Sequence, residues 1–472
     1  MSNPTHPLDR SVLPRITWHN EVKGITPMTI ARTALRRTLT VTATAMLAVG
    51  ALAACSTGGG STAAAETDLD AALEAGGKLT YWSWTPSAEA QVAAFEEAYP
   101  NVDVELVNAG TNTEEYTKLQ NAIKAGSGAP DVVQIEYYAI PQFALSDALV
   151  DLGEYGLDEL EDQFSASTWG SVNIDGKLVG LPQDSGPMAL FYNKSVFDQF
   201  GIAVPTTWDE YVEAARQLHA ADPTKFITSD TGDAGFATSM IWQAGGRPFA
   251  IDGTDITVDL ADEGTQKWTG VWNQLIEEDL VATTPGWTDE WFKGLADGSI
   301  ATLPIGAWMP GVLESSVADA AGDWRVAPLP TYDGTPVTAE NGGGGQSVTT
   351  QSKNPALAAA FLRWLNSDPA SIEVFLESGG FPSTTAQLED PDFTGFESEY
   401  FGGQKINEVL TQASKDVATG WSYLPYQVFA NSIFGDTVGQ SYANKADLNA
   451  GLAEWQSQLV EYGNEQGFSV SE

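Results

Sequence analysis

An alternation of strand and helix patterns between residues 78 and 138 constrains the fold most. The strand segments are 79–82, 102–106 and 130–135, and amphipathic helices are predicted between them at 86–99 and 114–125. Strands joined by helices form a parallel sheet, and such sheets bind ligands at the carboxyl ends of their strands. The pattern therefore predicts an α/β fold with ligand chemistry near Trp84, Glu136 and Tyr137.

A second constraint lies at residues 176–197, where two apolar strand patterns follow each other with no helix between them. The first pattern ends at Pro182 and the second covers 188–192. Between them, Gly186 is free in φ and Pro187 is fixed in φ, which suits a hinge. These residues fit a chain that crosses from one sheet to another, and they fit a hairpin inside one domain equally well.

The N-terminus has the pattern of a secretory signal. Three arginines precede an uncharged apolar segment at 39–54, and Cys55, the sole cysteine of the chain, follows two alanines. A small-residue site followed by Cys resembles the signal of bacterial lipoproteins. Residues 1–54 are therefore predicted to be a signal peptide, within which residues 1–27 are interpreted as an upstream mis-start, and Cys55 is predicted to be lipidated.

The segment that follows, 55–77, is predicted to be a flexible tether, because Gly, Ser, Thr and Ala dominate its first part. Two acyl chains on Cys55 would anchor a soluble body to the membrane. No later stretch approaches the ~20 apolar residues of a spanning helix. The expected location is the extracellular face of the cytoplasmic membrane.

Composition excludes several classes of function. The net charge of −41 disfavours nucleic acid and anionic ligands. His219 is the only histidine after the signal, so a His-rich metal site or a Ser-His-Asp triad is not expected. The glycine run at 342–345 lacks the Lys-Ser/Thr of a phosphate-binding loop. No metal or cofactor is predicted.

Several short segments carry a family resemblance when they are taken together with the signal. They are 79–84, 129–133, 190–194 with Phe197, 204–210, 305–308, 327–330 and 354–365. In this order and spacing they resemble the extracellular solute-binding proteins of bacterial ABC importers, in the sugar-binding family that includes maltose-binding protein. The resemblance covers roughly residues 78–460.

The resemblance implies two α/β lobes, each a mainly parallel sheet flanked by helices, joined by crossover hinges at 183–187 and 342–347. The implied N-terminal lobe is 78–185 with 345–384, and the implied C-terminal lobe is 186–344 with 385–472. A protein of this kind captures its ligand between the lobes as a monomer, performs no catalysis, and delivers the ligand to a membrane permease.

Sugar rings stack on aromatic side chains, and their hydroxyls bond to carboxylates and amides. The predicted ligand-binding residues are Trp84, Glu136, Tyr137, Gln183, Asp184, Trp242, Trp287, Trp308, Gly343 and Trp421. For each aromatic residue the alternative is core packing, which is the interpretation for Trp268, Trp272 and Trp364 because they lie within helices. The number of aromatics favours an oligosaccharide over a monosaccharide.

Two other functions stay open at this point. A secreted, lipid-anchored glycoside hydrolase would share the acidity and the aromatic residues, but the chain has no eightfold βα repeat and no carboxylate pair that stands out. A binding protein for a cationic small molecule such as a polyamine would also use aromatic rings and carboxylates.

Overall fold

The computed structural model describes residues 67–472, so the signal peptide (1–54) and Cys55 lie outside the described residues. The strands are β1 (Gly77–Trp82), β2 (Val102–Val107), β3 (Val132–Glu136), β4 (Asn173–Ile174), β5 (Lys177–Leu178), β6 (Leu181–Pro182), β7 (Met188–Asn193), β8 (Thr228–Ser229), β9 (Phe249–Asp252), β10 (Asp255–Val258), β11 (Val281–Ala282), β12 (Thr302–Gly306), β13 (Trp324–Pro328), β14 (Gly344–Val348) and β15 (Ser469–Ser471).

The α-helices are α1 (Leu69–Ala75), α2 (Ala88–Ala98), α3 (Thr113–Ala125), α4 (Ile140–Ala144), α5 (Ala166–Val172), α6 (Lys194–Phe200), α7 (Trp208–Ala221), α8 (Ala234–Gln243), α9 (Glu263–Glu277), α10 (Asp289–Asp297), α11 (Met309–Ser316), α12 (Pro355–Ser367), α13 (Pro369–Glu377), α14 (Thr385–Leu388), α15 (Pro391–Thr394), α16 (Ile406–Lys415), α17 (Gln427–Phe434), α18 (Val438–Asn444) and α19 (Leu448–Glu465). Among residues 67–472, none of these helices is both long and apolar enough to span a bilayer.

Helix α1 corrects the prediction of a flexible tether over 55–77. The Asp68 side chain caps this helix by accepting from the backbone N–H groups of the first turn, and Leu69 and Leu73 are buried. Asp70 pairs with Arg363 of α12 at 2.7 Å. Two leucines four residues apart form an apolar face that packs on the lobe. The tether prediction is therefore wrong for its last part, which is folded.

The N-terminal lobe is built on a five-stranded sheet in the order β2-β1-β3-β14-β6. Strand β1 is parallel to β2 and β3, as the strand–helix alternation predicts, whereas β14 is antiparallel to β3 and β6. Buried side chains such as Tyr81, Phe95 and Phe361 pack between this sheet and its helices. The carboxyl ends of β1 and β3 consequently lie side by side.

The C-terminal lobe is built on the sheet β12-β7-β13, and both neighbours of β7 are antiparallel to it. The prediction of a mainly parallel sheet is therefore wrong for this lobe. Strands β8 and β11 form a separate parallel pair, which adjoins the sheet through a bridge between Phe226 and Ile300. Strand β7 enters from the other lobe and forms the middle of the sheet, between β12 and β13. Trp208, Trp272 and Trp324 are fully buried in this lobe.

Two crossover segments join the sheets. The first crossover, 183–187, connects β6 to β7, and because these strands belong to different sheets the stretch 176–197 is not a hairpin. The second crossover, 340–343, returns the chain to β14. Residues 344–347, also expected to be hinge, instead form strand β14, where they pair with β3 and β6.

Candidate ligand-binding cleft

A cleft of about 580 Å³ opens between the two sheets, over the second crossover. The N-terminal lobe contributes Asn112, Glu136 and Tyr138, and the second crossover contributes its floor at 341–343. The C-terminal lobe contributes the segment 228–239, three tryptophans and part of α17. The volume is in the range of small-molecule sites, ~300–1,000 Å³.

Trp287, Trp291 and Trp308 form an aromatic wall on the C-terminal lobe. The ring centroids of Trp287 and Trp308 are 5.7 Å apart with an interplanar angle of 28°, and those of Trp287 and Trp291 are 5.4 Å apart. The Trp308 indole N–H donates to the Asn341 carbonyl oxygen at 2.7 Å. Trp291 is buried, whereas Trp287 is 58% exposed, so a large apolar face is presented to the cleft.

Two cleft residues other than glycine have positive φ. The values are 66° at Trp287 and 50° at Asn112. Trp287 follows Gly286 and precedes α10, and Asn112 precedes α3. Backbone strain of this kind costs about 1–3 kcal/mol and concentrates at functional sites. One strained residue lies on each wall, which supports a role for this cleft in binding.

Carboxylates face the cleft from both lobes. Glu136, at the end of β3, accepts a hydrogen bond from the Tyr116 hydroxyl at 3.0 Å. Across the cleft, Asp230 accepts from the Trp272 indole N–H and from the Gly232 backbone N–H, both at 2.9 Å. Asp233 caps α8 by accepting from the Phe236 N–H at 2.6 Å.

Burial changes the acidity of these carboxyls. It raises the pKa of Glu136 to about 7, against hydrogen bonds from Tyr116 and Tyr138 that lower it. Burial also raises the pKa of Asp230, and the charge of Asp233 adds to that increase. The cleft therefore combines aromatic surface with hydrogen-bonding groups whose negative charge is costly, an arrangement suited to neutral polyhydroxylated ligands.

Four of the predicted site residues line the cleft, namely Glu136, Trp287, Trp308 and Gly343. Gly343 has φ 87°, and a Cβ there would lie 2.9 Å from the Tyr137 ring, so a larger residue would not fit.

Four more lie outside the lining, beside it or behind it. Trp84 is half-buried, with its ring edge-on to Tyr116 at 6.2 Å. Gln183 donates to the Thr85 hydroxyl at 2.8 Å. Tyr137 is buried behind the floor and donates its hydroxyl to the Asp184 carbonyl oxygen at 2.7 Å. The Asp184 carboxyl accepts from the Gly344 N–H, so its contacts are within the crossover region.

The last two predicted residues, Trp242 and Trp421, stack on each other with centroids 5.2 Å apart and an angle of 6°. Trp242 is buried and donates to the Ala418 carbonyl oxygen at 2.6 Å. Both rings meet Tyr423 edge-on, and Tyr423 is the residue that lines the cleft. The pair supports the cleft from behind.

Sequence reasoning missed other lining residues, including Asn112, Tyr138, Asp230, Asp233, Tyr423, Gln427 and Asn431. A signal existed for the two aspartates, since they follow β8 at its carboxyl end, but β8 is two residues long and has no strand pattern. Tyr138 lies one residue beyond the predicted strand-end pair. Within residues 67–472, no cluster of three or more His, Cys, Asp or Glu residues is arranged to hold a metal ion.

The chain matches known proteins in both sequence and structure. The profile of the family described as "Bacterial extracellular solute-binding protein" matches residues 81–372. The chain is 45% identical to the ABC-transporter-associated binding protein of B. animalis subsp. lactis Bl-04, solved in complex with beta-1,6-galactobiose; the match covers 84% of this chain and 99% of that chain, with a TM-score of 0.76.

Two further relatives are more distant. One is the galacto-N-biose/lacto-N-biose I-binding protein of Bifidobacterium longum, 26% identical over 84% of this chain and 99% of that one, with a TM-score of 0.74. The other is an arabinooligosaccharide-binding protein of Halalkalibacterium halodurans, 26% identical over 78% of this chain and 86% of the relative.

Proposed function

The chain belongs to the family of bacterial extracellular solute-binding proteins, and we propose that it captures a short oligosaccharide, with β-1,6-galactobiose as the first ligand to test. It then delivers the sugar to the permease of an ABC importer. The 45% identity to a galactobiose-binding protein over 99% of that chain motivates the choice of ligand. The observation that carries the proposal is the aromatic wall opposite the Glu136 carboxyl.

The proposed mechanism is capture without chemistry. The indoles of Trp287 and Trp308 stack on the C–H faces of the sugar, while carboxylates and amides from both lobes accept or donate to its hydroxyls. A ligand that bonds to both walls stabilises the closed arrangement of the lobes and shifts the population towards it. The closed monomer docks on the permease, and ATP is hydrolysed on other chains.

We also propose that the protein is a lipoprotein held at the outer face of the membrane. Cys55 follows a small-residue site, and two acyl chains suffice for stable anchoring. Full-length protein expressed in a bacterial host is expected to fractionate with membranes, and C55A to be released. Equal membrane retention of C55A would contradict lipidation at this residue.

The test of the sugar ligand uses the mature soluble part, residues 56–472, in thermal-shift and calorimetric titrations. The panel contains β-1,6-galactobiose, lactose, maltose, arabino-oligosaccharides and the polyamine putrescine. A ligand at 100 times its Kd is expected to add about 2.7 kcal/mol of stability. Galactobiose recovered intact after binding supports the proposal. A cleaved sugar indicates a hydrolase, a response to putrescine alone indicates a cation-binding protein, and no response to any sugar overturns the carbohydrate assignment.

A further inference from the structure

The two crossover segments are tied together by a reciprocal pair of carboxyl groups. Asp184, in the first crossover, accepts the backbone N–H of Gly344 at 2.6 Å. Glu340, in the second crossover, accepts the backbone N–H of Gly186 at 2.6 Å and the Ser185 hydroxyl at 3.0 Å. Glu340 therefore bonds to the backbone of the first crossover, and Asp184 bonds to Gly344, the first residue of β14 directly after the second crossover. We call this pair the hinge clasp.

The hinge clasp contacts both lobes. On the N-terminal lobe, the Ser167 hydroxyl of α5 donates to the Glu340 carboxylate at 2.8 Å. On the C-terminal lobe, the Ser239 hydroxyl of α8 donates to the Glu340 carbonyl oxygen at 2.8 Å. The next residue, Asn341, accepts from the Trp308 indole. Glu340 and Asp184 are absent from the cleft lining formed by residues 67–472.

Among residues 67–472, neither the buried Glu340 nor the half-buried Asp184 has a cationic partner. The ion pairs among residues 67–472 include neither Asp184 nor Glu340. The charge of Asp184 raises the pKa values of Glu136 and Tyr137, and the charge of Glu340 raises those of Tyr137 and Tyr423; none of these three neighbours is cationic. Burial followed by the charge of Glu340 raises the pKa of Asp184 to about 7, against the Gly344 hydrogen bond.

Glu340 differs from Asp184 in its hydrogen bonding. Burial raises the pKa of its carboxyl, while donors from Ser167, Gly186 and Ser185 oppose that change. Both oxygens of Glu340 accept hydrogen bonds, so the charged form suits this environment. The ionisation of Asp184 above about pH 7 therefore places a negative charge beside the Glu340 carboxyl.

We propose that Asp184 and Glu340 are positioning residues for sugar binding: they hold the two crossover segments in register and so set the spacing between the aromatic wall and the Glu136 wall. The inference rests on the proposed function of the cleft and adds to it. Neither residue needs to touch the sugar. Loss of a clasp bond leaves a buried N–H unpaired and lets the walls shift, which weakens binding.

The experiment compares D184A, D184N and E340Q with the wild type and with the control E115Q. Glu115 is fully buried in α3 of the N-terminal lobe, and burial raises its pKa to about 8, so glutamine mimics its protonated form. The Kd of β-1,6-galactobiose is measured by calorimetry at pH 5.5, 7 and 8.5, after thermal unfolding has verified that each variant folds.

D184A and E340Q are expected to raise the Kd at pH 7 about tenfold. D184N keeps an oxygen for the Gly344 N–H and is expected to bind like the wild type at pH 7. The wild type is expected to bind more weakly at pH 8.5 than at pH 7, and D184N to show a smaller difference, because its side chain at 184 stays neutral while Glu136 still ionises. E115Q is expected to follow the wild type.

The inference would be overturned if both D184A and E340Q had the affinity and the pH profile of the wild type. Equal weakening of sugar binding in D184N and D184A at pH 7 would also overturn it. If E340Q does not fold, the comparison of D184A with D184N tests the positioning role by itself. If the wild type does not bind galactobiose, the proposed ligand fails, and small-angle scattering of the ligand-free protein tests the hinge clasp. D184A is then expected to have a larger radius of gyration than D184N, and equal values would overturn the clasp.

Discussion

Individual side chains in the cleft combine exposure, strain and altered acidity in a way that core residues do not. Trp287 is 58% exposed although tryptophan is normally buried, and its backbone has φ 66°. Glu136 is a half-buried carboxyl that accepts a hydrogen bond from the Tyr116 hydroxyl. Such features cost stability and concentrate at functional sites.

Trp287 should contribute directly to sugar affinity. W287A removes one face of the aromatic wall, and we expect the Kd of β-1,6-galactobiose to rise about tenfold, because one stacking contact is lost. The control is F396A, since Phe396 is also 58% exposed but does not line the cleft. Calorimetry measures both variants. Equal affinities for W287A and the wild type would contradict a stacking role.

Glu136 should make stability depend on pH. Its pKa in the folded state, about 7, lies above the ordinary value of 4.5, so the folded state binds the proton more tightly than the unfolded state does. The resulting stabilisation is complete below the ordinary pKa and is lost as pH rises through about 7.

The free energy of unfolding is therefore expected to fall between pH 5.5 and pH 8.5, and to fall less steeply in E136Q. Chemical denaturation at three pH values measures the slope, with E105Q, at an exposed position of β2, as the control. Parallel slopes for the wild type and E136Q would show that Glu136 does not carry this dependence.

At the scale of elements, the second crossover brings backbone rather than side chains to the cleft floor. The Tyr137 N–H donates to the Gly343 carbonyl oxygen at 3.1 Å, which fixes the floor against the end of β3. Gly342 and Gly343 both have positive φ. A short floor of glycines lets a ligand approach the backbone closely.

A Cβ at the floor should damage both folding and binding. G343A is expected to lose more than 1 kcal/mol of stability, because alanine is strained at φ 87° and its Cβ would lie 2.9 Å from the Tyr137 ring. Its galactobiose affinity is expected to fall as well. G334A is the matched control, since Gly334 has φ 84° and open space around its Cβ position. Equal losses of stability and affinity in the two variants would rule out a specific role for Gly343.

Across the whole molecule, the excess of negative charge destabilises the compact folded state. The chain carries 63 acidic and 22 basic residues. The ion pairs of residues 67–472 lie at the surface, for example Lys78 with Asp103, whose side chains are 85% and 60% exposed. Exposed pairs of this kind contribute little, about 0–1 kcal/mol each. Repulsion among the remaining acidic groups is the larger effect.

Added salt should therefore stabilise the protein. Raising sodium chloride from about 0.02 M to about 0.5 M shortens the Debye length and screens the repulsion. We expect the Tm to rise by about 1–2 °C, which corresponds to about 1 kcal/mol for a chain of this size. Chloride is used because sulfate strengthens apolar burial by itself. A fall in Tm with chloride would mean that the surface ion pairs outweigh the repulsion.

Local sequence patterns were sufficient to predict the fold class and the kind of function. Strand and helix periods between residues 78 and 138 are local, and they predict parallel pairing of β1, β2 and β3 because helices join these strands. Motif order then identified the solute-binding family. Aromatic residues at strand ends predicted the carbohydrate ligand class, and Trp287 and Trp308 are in the cleft lining.

Which residues share a surface depends on tertiary packing. Tyr137 and Tyr138 are adjacent in the turn that follows β3, yet Tyr137 lies behind the floor and Tyr138 lines the cleft. The direction of β7 and the pairing of Trp242 with Trp421 depend on contacts between residues far apart in the chain. A local pattern carries no information about such contacts, so long-range packing sets the details of the binding site.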